Sequence, residues 1–439
     1  WGSEWGRGAD LTYSFVHNDS LFKSDYDSDG DVNDYEKVDF TYSISNALQN
    51  AITAALSLYS EVSLLSFTET PDEGTNNVGN LRFVTYNEID TDDGYLNDDL
   101  LGTTGVFPYP AGTNDHDRGD IFLGGDGGGF FGNANDIFNQ PENIFDGSYV
   151  TQTIIHEIGH TMGLKHPQDN WSYGSDNLVG RNTTTMSYKD YYNDNGGINN
   201  SADVNDEATI IFRPHTLMIW DILAVQEIYG VNHQHNTGDD VYTISSFSDE
   251  NYIYATIWDA GGNDTISWAG QNTSGLIDLG DGKNSYFGNI EFGLVDYDFG
   301  TGISAGSGLL GIAYGAIIEN AIGGAASDFI IGNSVANTLY GGAGVGVKDT
   351  LTGLGGADIF VCSVSDASIG LSTADVILDF TNGTDFIGLE DLVWSDLNIV
   401  DSSGDTKVVD ISSGKILYVL ASVDYGLIDS DDFISTDFV

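Results

Sequence analysis

Apolar residues follow two different rhythms along this 439-residue chain. In the first half, Ser45 precedes Leu48, Ile52, Leu56 and Tyr59, and apolar side chains three or four apart line one face of a helix. The serine hydroxyl is placed to accept a backbone N–H at the start of that helix. Residues 81–86 and 120–123 are short apolar, β-branched and aromatic runs that predict strands. Residues 105–110 predict an edge strand, because Pro108 and Pro110 lack the N–H that a central ladder needs. The cluster Gly124, Gly125, Gly127, Gly128 and Gly129 predicts a loop; with no lysine and no following helix it is not a phosphate cradle.

From residue 236 the rhythm shortens. All six prolines lie before this point, and glycine-aspartate turns then alternate with short aliphatic strands. Nine-residue repeats run over 323–331, 332–340, 341–352 and 353–361, the third holding three extra residues, Val345, Gly346 and Val347. Position six is Asp328, Asn337, Asp349 or Asp358; position eight is Ile330, Leu339, Leu351 or Phe360. A glycine-rich turn followed by a short strand is the unit of a parallel β-roll, with position eight directed into a shared core. Turn carbonyls and the aspartate are oxygen ligands suited to calcium, and neighbouring turns would share each ion. Ala326 and Asn337 break the repeat and predict fewer filled sites than in a regular array. The expected fold class is an α+β domain over 1–235, then an all-β domain over 236–439, a parallel β-roll or β-sandwich that binds calcium. A glycine-rich β domain without calcium is the competing reading.

Charge narrows the partners. Against 67 acidic residues stand 13 basic ones, a formal net charge of -54, so nucleic acid and anionic membranes are excluded as partners. Bound calcium would neutralise part of this excess, and the remainder solvates the surface. The single cysteine, Cys362, rules out an intramolecular disulfide framework and reads as a small buried hydrophobe. No apolar run approaches the roughly 18 residues needed to span a bilayer, so membrane insertion is not expected. Beginning at Trp1, the chain reads as a processed mature form.

The chemistry concentrates in the run His156-Glu157-Ile158-Gly159-His160-Thr161-Met162-Gly163-Leu164-Lys165-His166-Pro167. Residues i and i+4 of a helix share a face, so His156 and His160 can reach one cation together. Glu157 is rotated by about 100° and addresses a water from the side. Gly163 can enter the left-handed conformation, stop the helix and turn the chain so that His166 returns as a third ligand. Three protein ligands leave one zinc position open to water, whose pKa falls to about 7.

Thr184-Thr185-Met186-Ser187-Tyr188 follows about twenty residues beyond His166. With the histidine motif it resembles the Met-turn of the metzincin proteases, and the pair is similar to the serralysin family in particular. The likeness extends to 9–15, 214–230, 258–266 and 318–324. It departs in a shorter stretch between His166 and Met186, in eroded calcium repeats and in Cys362, where the family usually carries an aromatic. The resemblance implies a secreted zinc endopeptidase of broad specificity, with Glu157 as general base and Met186 as a floor beneath the zinc. It also implies that Tyr188 is a switchable zinc ligand that swings out to hydrogen-bond the oxyanion, and that an edge strand holds substrate peptide antiparallel.

For calcium, the resemblance joins Gly238 and Asp239 with Asp259, Gly261 and Asp264 in one site, and Gly262, Asp264 and Glu319 in a second. Asp379 and Asp385 fall in a later site, and Gly323, Asp328, Gly341, Asp349 and Asp358 in the repeats. The ending Asp437-Phe438-Val439 resembles an uncleaved secretion signal. Implied partners are protein or peptide substrates, the type I secretion machinery and a small proteinaceous inhibitor, with the enzyme a monomer. Two alternatives stay open: a noncatalytic calcium-binding exoprotein or adhesin with a retired protease domain, and a metal hydrolase acting on a nonpeptide substrate.

Overall fold

The computed structural model describes residues 5–17, 44–73, 78–86, 102–104, 120–124, 149–167, 180–187, 214–244, 254–288, 308–344 and 346–438. The chain divides into two compact units, Trp1–Asn232 and His233–Val439. The expected edge strand at 105–110, the glycines beyond Gly124 and Tyr188 lie outside the described residues.

The first unit sets helices beside a mixed sheet. Its strands are β1 (Ala9–Phe15), β2 (Leu65–Glu69), β3 (Leu81–Tyr86), β4 (Gly102–Thr104) and β5 (Asp120–Gly124), in the order β2-β1-β3-β5-β4. All pairs are parallel except β4 with β5, and the described sheet ends at β2 on one side and at the antiparallel β4 on the other. Helix α1 (Asn46–Val62) begins where the sequence predicts it, with the Ser45 hydroxyl accepting the Leu48 N–H at 3.3 Å. Leu48, Ile52, Leu56 and Tyr59 are all buried along one face. Under the sheet Arg82 forms a buried bidentate pair with Asp72 at 3.0 and 2.9 Å, and the Ser14 hydroxyl donates to Asp72 at 2.6 Å. Every charge there has a partner, as burial demands.

Two further helices lie among the described residues of the unit, α2 (Tyr149–Thr161) and α3 (Ile219–Tyr229). Buried hydroxyls stitch the three together. Tyr59 of α1 donates to the Ile155 carbonyl at 2.7 Å, and Tyr229 of α3 to the Met162 carbonyl at 3.0 Å. The Gln226 amide of α3 reaches the Val62 carbonyl at 3.1 Å. No described helix is long and apolar enough to cross a membrane.

The second unit is a parallel β-roll. One sheet is parallel throughout and orders Phe433–Ser435, Phe386–Leu389, Ile359–Cys362, Thr338–Tyr340, Asn320–Ile322, Thr265–Ser267 and Val241–Thr243. The strands between, Phe329–Ile331, Thr350–Thr352 and Val376–Ile377, pair in parallel in the second sheet, so successive strands alternate between sheets. Ile416–Leu420 adds to that sheet in parallel beside Val376–Ile377, and Asp405–Asp410 and Leu397–Ser402 then extend it antiparallel.

The register stacks like residues. Ile266, Ala321, Leu339, Phe360 and Ile387 form one column; Ile277, Ile330, Leu351, Ile377 and Leu420 form the other. All ten are fully buried. Each aliphatic or aromatic member contributes roughly 1.5–3 kcal/mol by leaving water. A nine-residue unit thus cannot stand alone, because its one inward side chain needs the coils on either side.

Candidate active site

Helix α2 brings His156, Glu157 and His160 into the first unit's interior, and its ending delivers His166. Gly163 has φ +96°, its N–H donates to the His160 carbonyl at 3.0 Å, and the Leu164 N–H donates to the Gly159 carbonyl at 2.9 Å. This double hydrogen bond about a left-handed glycine is a Schellman ending, and it reverses the chain within one turn. His166 then lies beside the other two histidines. Its Nε2 is 3.1 Å from His156 Nε2 and 3.0 Å from His160 Nε2.

Backbone carbonyls decide which ring nitrogens face inward. His156 Nδ1 donates to the Thr185 carbonyl at 2.9 Å, and His160 Nδ1 to the Leu164 carbonyl at 3.0 Å. In a neutral imidazole so anchored the other nitrogen keeps a lone pair. Burial, reinforced by the neighbouring His160, His166 and Arg181, lowers the His156 pKa to about 3, so the ring is neutral at physiological pH. Lone pairs from neutral rings converging at such short range form a donor set for a metal ion, and the three side chains make up one of two such groups among the described residues.

Met186 is fully buried in the turn that includes Thr185, and its sulfur packs against Gly159 of α2. A Cβ added at Gly159 would stand 2.7 Å from Met186 Sδ and 3.1 Å from the Tyr59 hydroxyl. The glycine in the middle of the motif therefore makes room for the methionine. Glu157 is also buried, and loss of solvation alone raises its pKa to about 7.

The match to known proteins is broad. The Matrixin family profile covers residues 34–198, and the profile described as Peptidase M10 serralysin C terminal covers 220–413. Metallopeptidase AprA of Pseudomonas marginalis is 32% identical over 90% of this chain and 79% of its own length. Serralysin G of Dickeya chrysanthemi is 30% identical over 94% of this chain and 78% of its own length. Serralysin of Proteus mirabilis is 30% identical over 76% of this chain and 61% of its own length. The chain belongs to the serralysin family. It is a metzincin metalloendopeptidase, with the Matrixin profile on its α+β unit and the serralysin C-terminal profile on its β-roll.

In this serralysin the remaining candidate residues gather in the roll. The second convergent group is Asp240, Asp259 and Asp264. Asp240, not Asp239, supplies its third carboxylate; Asp239 Oδ1 instead accepts the Asn263 N–H at 2.9 Å. Asp264 Oδ2 is buried without a partner, and a Cβ at Gly262 would sit 2.0 Å from the Gly238 carbonyl and 2.6 Å from Asp264 Oδ1. Gly261, at φ +138°, donates to Asp259 Oδ1 at 2.8 Å, and Glu319 Oε2 accepts the Asp264 N–H at 2.8 Å. Burial first, then the charges of Asp259, Glu319 and Asp240, raise the Asp264 pKa to about 6.

Along the repeats, aspartates form ladders from coil to coil. The Asp328 N–H donates to Asp349 Oδ1 and the Asp349 N–H to Asp375 Oδ1, each at 2.8 Å. On the other sheet the Asn337 N–H reaches Asp358 Oδ1 at 2.9 Å and the Asp358 N–H reaches Asp385 Oδ1 at 3.1 Å. Asp379 accepts the Gly353 and Leu354 N–H groups at 2.9 and 2.8 Å. Oxygens meet where glycines leave space: a Cβ at Gly323 would stand 2.1 Å from the Gly341 carbonyl and 2.8 Å from Asp328 Oδ2, and one at Gly341 would stand 2.6 Å from Asp349 Oδ2. Such pockets of hard oxygen donors fit calcium. Burial drives the carboxyl pKa values up, to about 7 for Asp328 and Asp358 and about 9 for Asp349, where Asp375 adds like charge.

One turn is built differently. Asn337 Nδ2 donates to the Glu319 carbonyl at 3.0 Å and to Asn333 Oδ1 at 3.1 Å, while Asn337 Oδ1 accepts the Asn333 N–H at 2.8 Å. Amide donors there occupy carbonyl oxygens that a cation would otherwise take. Sequence reasoning missed Asp240 and Asp375, and also Asp366, which is bound to Tyr340. Asp375 falls 26 residues after Asp349, outside the nine-residue period, whereas Asp240 could have been found as the second of two adjacent acids.

Proposed function

We propose that this serralysin is a secreted zinc endopeptidase cleaving peptide bonds in proteins with broad specificity. The convergence of three imidazole Nε2 atoms, two of them on rings already anchored through Nδ1, carries the reading. His156, His160 and His166 hold the ion, and Met186 fills the space below them. Zinc, when bound, supplies Lewis-acid polarisation of the scissile carbonyl and an acidified water. Glu157, one residue from the first ligand, takes the proton of the attacking water on its carboxylate and returns it to the leaving amine. Its burial keeps competing water away from that proton. Tyr188, two residues beyond Met186, donates its hydroxyl to the oxyanion, a contribution of about 3 kcal/mol in comparable sites.

The roll is assigned to calcium, held by the aspartates and turn carbonyls described above. Because those carboxylates face one another, folding and calcium binding are one event. Such a domain stays unfolded where calcium is scarce and folds outside the cell, which suits export by a type I secretion machinery. A small proteinaceous inhibitor fits as a further partner.

Cleavage of a quenched casein in calcium buffer tests the reading, comparing native protein, Glu157→Ala, and protein stripped of zinc and then resupplied. Activity lost in the variant and in the stripped sample, and restored by zinc to native protein only, is the expected result. Undiminished cleavage by Glu157→Ala, or none by calcium-folded, zinc-loaded native protein, contradicts it.

A further inference from the structure

A carboxylate outside the histidine motif reaches the same site through the backbone. Asp221 lies in the first turn of α3, within the apolar run from Leu217 to Val225, and only 2% of its surface is exposed. Its Oδ1 accepts the Thr184 hydroxyl at 2.5 Å. Its Oδ2 accepts two backbone donors, the Thr185 N–H at 2.7 Å and the Met218 N–H at 3.0 Å. The Thr184 oxygen in turn accepts the Met186 N–H at 3.1 Å, and the Trp220 N–H donates to the Thr183 carbonyl at 3.0 Å. The carboxylate thus clamps both sides of the turn to the start of α3.

Thr185 is the residue whose carbonyl accepts His156 Nδ1–H. From Asp221, then, hydrogen bonds run to the Thr185 N–H, across that residue to its carbonyl, and on to the imidazole. We propose that Asp221 is a positioning residue that sets the tautomer and ring orientation of His156 by fixing Thr185, and that holds Met186 under the site through Thr184. This rests on the reading that His156 is a zinc ligand.

The acceptor geometry explains why a carboxylate stands here. Three donors converge on its two oxygens, and an amide offers only one oxygen. In an asparagine one face would present N–H groups, either to the Thr185 and Met218 donors or to the Thr184 hydroxyl. An alanine would leave two backbone donors buried and unsatisfied. Helix α3 contributes further, since its N-terminal dipole favours an acid in the first turn.

The test uses full-length, calcium-folded protein with Asp221→Asn, Asp221→Ala and Thr184→Val, and reads four quantities. Nitrogen NMR of the zinc-free protein reports the His156 tautomer and the exchange rate of its Nδ1 proton. Chelator competition gives the zinc dissociation constant, and zinc-saturated enzyme gives kcat. The proposal expects a slowly exchanging Nδ1 proton in native protein and faster exchange in every folded variant. It also expects zinc binding weakened about tenfold, the usual size for an outer-shell partner, with kcat at saturation reduced far less. A folded Asp221→Asn or Thr184→Val protein with a native Nδ1 signal and zinc affinity within twofold of native overturns it, even where Asp221→Ala fails to fold. Native protein that binds no zinc would instead overturn the underlying zinc reading, so the two failures are distinguishable.

Discussion

The helix-borne histidines and the aspartate ladders of the roll both gather metal-ligating atoms, but they reach that state in opposite ways. At the histidines, hydrogen bonds to Thr185 and Leu164 carbonyls hold two rings in place, and burial keeps His156 uncharged, with its pKa at about 3. In the roll, the ladder joining Asp328, Asp349 and Asp375 stacks acids on acids, and burial drives their pKa values up to between about 7 and about 9. The first arrangement is made by packing, with its ring nitrogens already converging. The second gathers like charges which, on the function proposed above, calcium would balance.

The largest effect expected from this contrast comes from selective metal removal. Chelating calcium at pH 7.5 unfolds the roll, with its sheet signal lost in circular dichroism, whereas removing zinc alone leaves both units folded. An intact sheet signal without calcium, or unfolding on zinc removal, breaks the comparison. Next in size, Glu157→Gln lowers kcat by about 10²–10⁴-fold while zinc stoichiometry, read by atomic absorption, stays at the native value. A parallel loss of zinc would mean that the residue serves the ligand set instead of the proton.

pH separates the two regions as well. In the cation-free roll Asp328, Asp349, Asp358 and Asp375 have folded pKa values above their ordinary 3.8, so the folded state binds more protons than the unfolded chain. Their contribution to stability is therefore fully present below pH 3.8 and is lost as pH rises through about 7 to about 9. Urea titrations in chelator should show the roll weakening from pH 4.5 to 7.5. Saturating calcium, which binds the ionised form, should flatten or invert that slope, and a chelated roll that strengthens over this range would contradict the assignment.

Smaller effects sharpen the picture at single positions. Gly159→Ala forces a methyl against Met186 Sδ and should cost about 1–3 kcal/mol of first-unit stability in a denaturant titration, with the roll unaffected. Asn337→Asp replaces the amide that bridges the Glu319 carbonyl and Asn333 Oδ1. Without calcium at pH 4.5, where the chelated roll keeps its fold, it should cost about 1 kcal/mol of roll stability, and with calcium it should recover the loss by taking an additional ion, counted by equilibrium dialysis. Recovery without added calcium would show that the amide network does not replace a cation.

What the sequence made legible follows the same division. Spacing alone placed His156 and His160 on one helical face, and Gly163 predicted the reversal that returns His166. Position eight of the repeats predicted the buried columns, since Ile330, Leu339, Leu351 and Phe360 all point inward. The anchors of the histidines were invisible, because the Thr185 and Leu164 acceptors are backbone carbonyls that any residue carries. Asp221 was hidden for another reason: an acid in the first turn of a helix reads as an ordinary cap. Asp375 escaped because the coil before it is longer than the repeat, so only the register of Val376 against Thr350 brings it opposite Asp349.

Diffraction from crystals of the native protein grown with calcium and zinc, recorded on both sides of the zinc absorption edge, tests the central claim most directly. A single anomalous peak about 2.0–2.1 Å from the Nε2 atoms of His156, His160 and His166 is expected, with the Nδ1 contacts to Thr185 and Leu164 retained and no zinc peak in the roll. An absent peak, or one reached only after those rings leave their carbonyl partners, would contradict a packing-made zinc site.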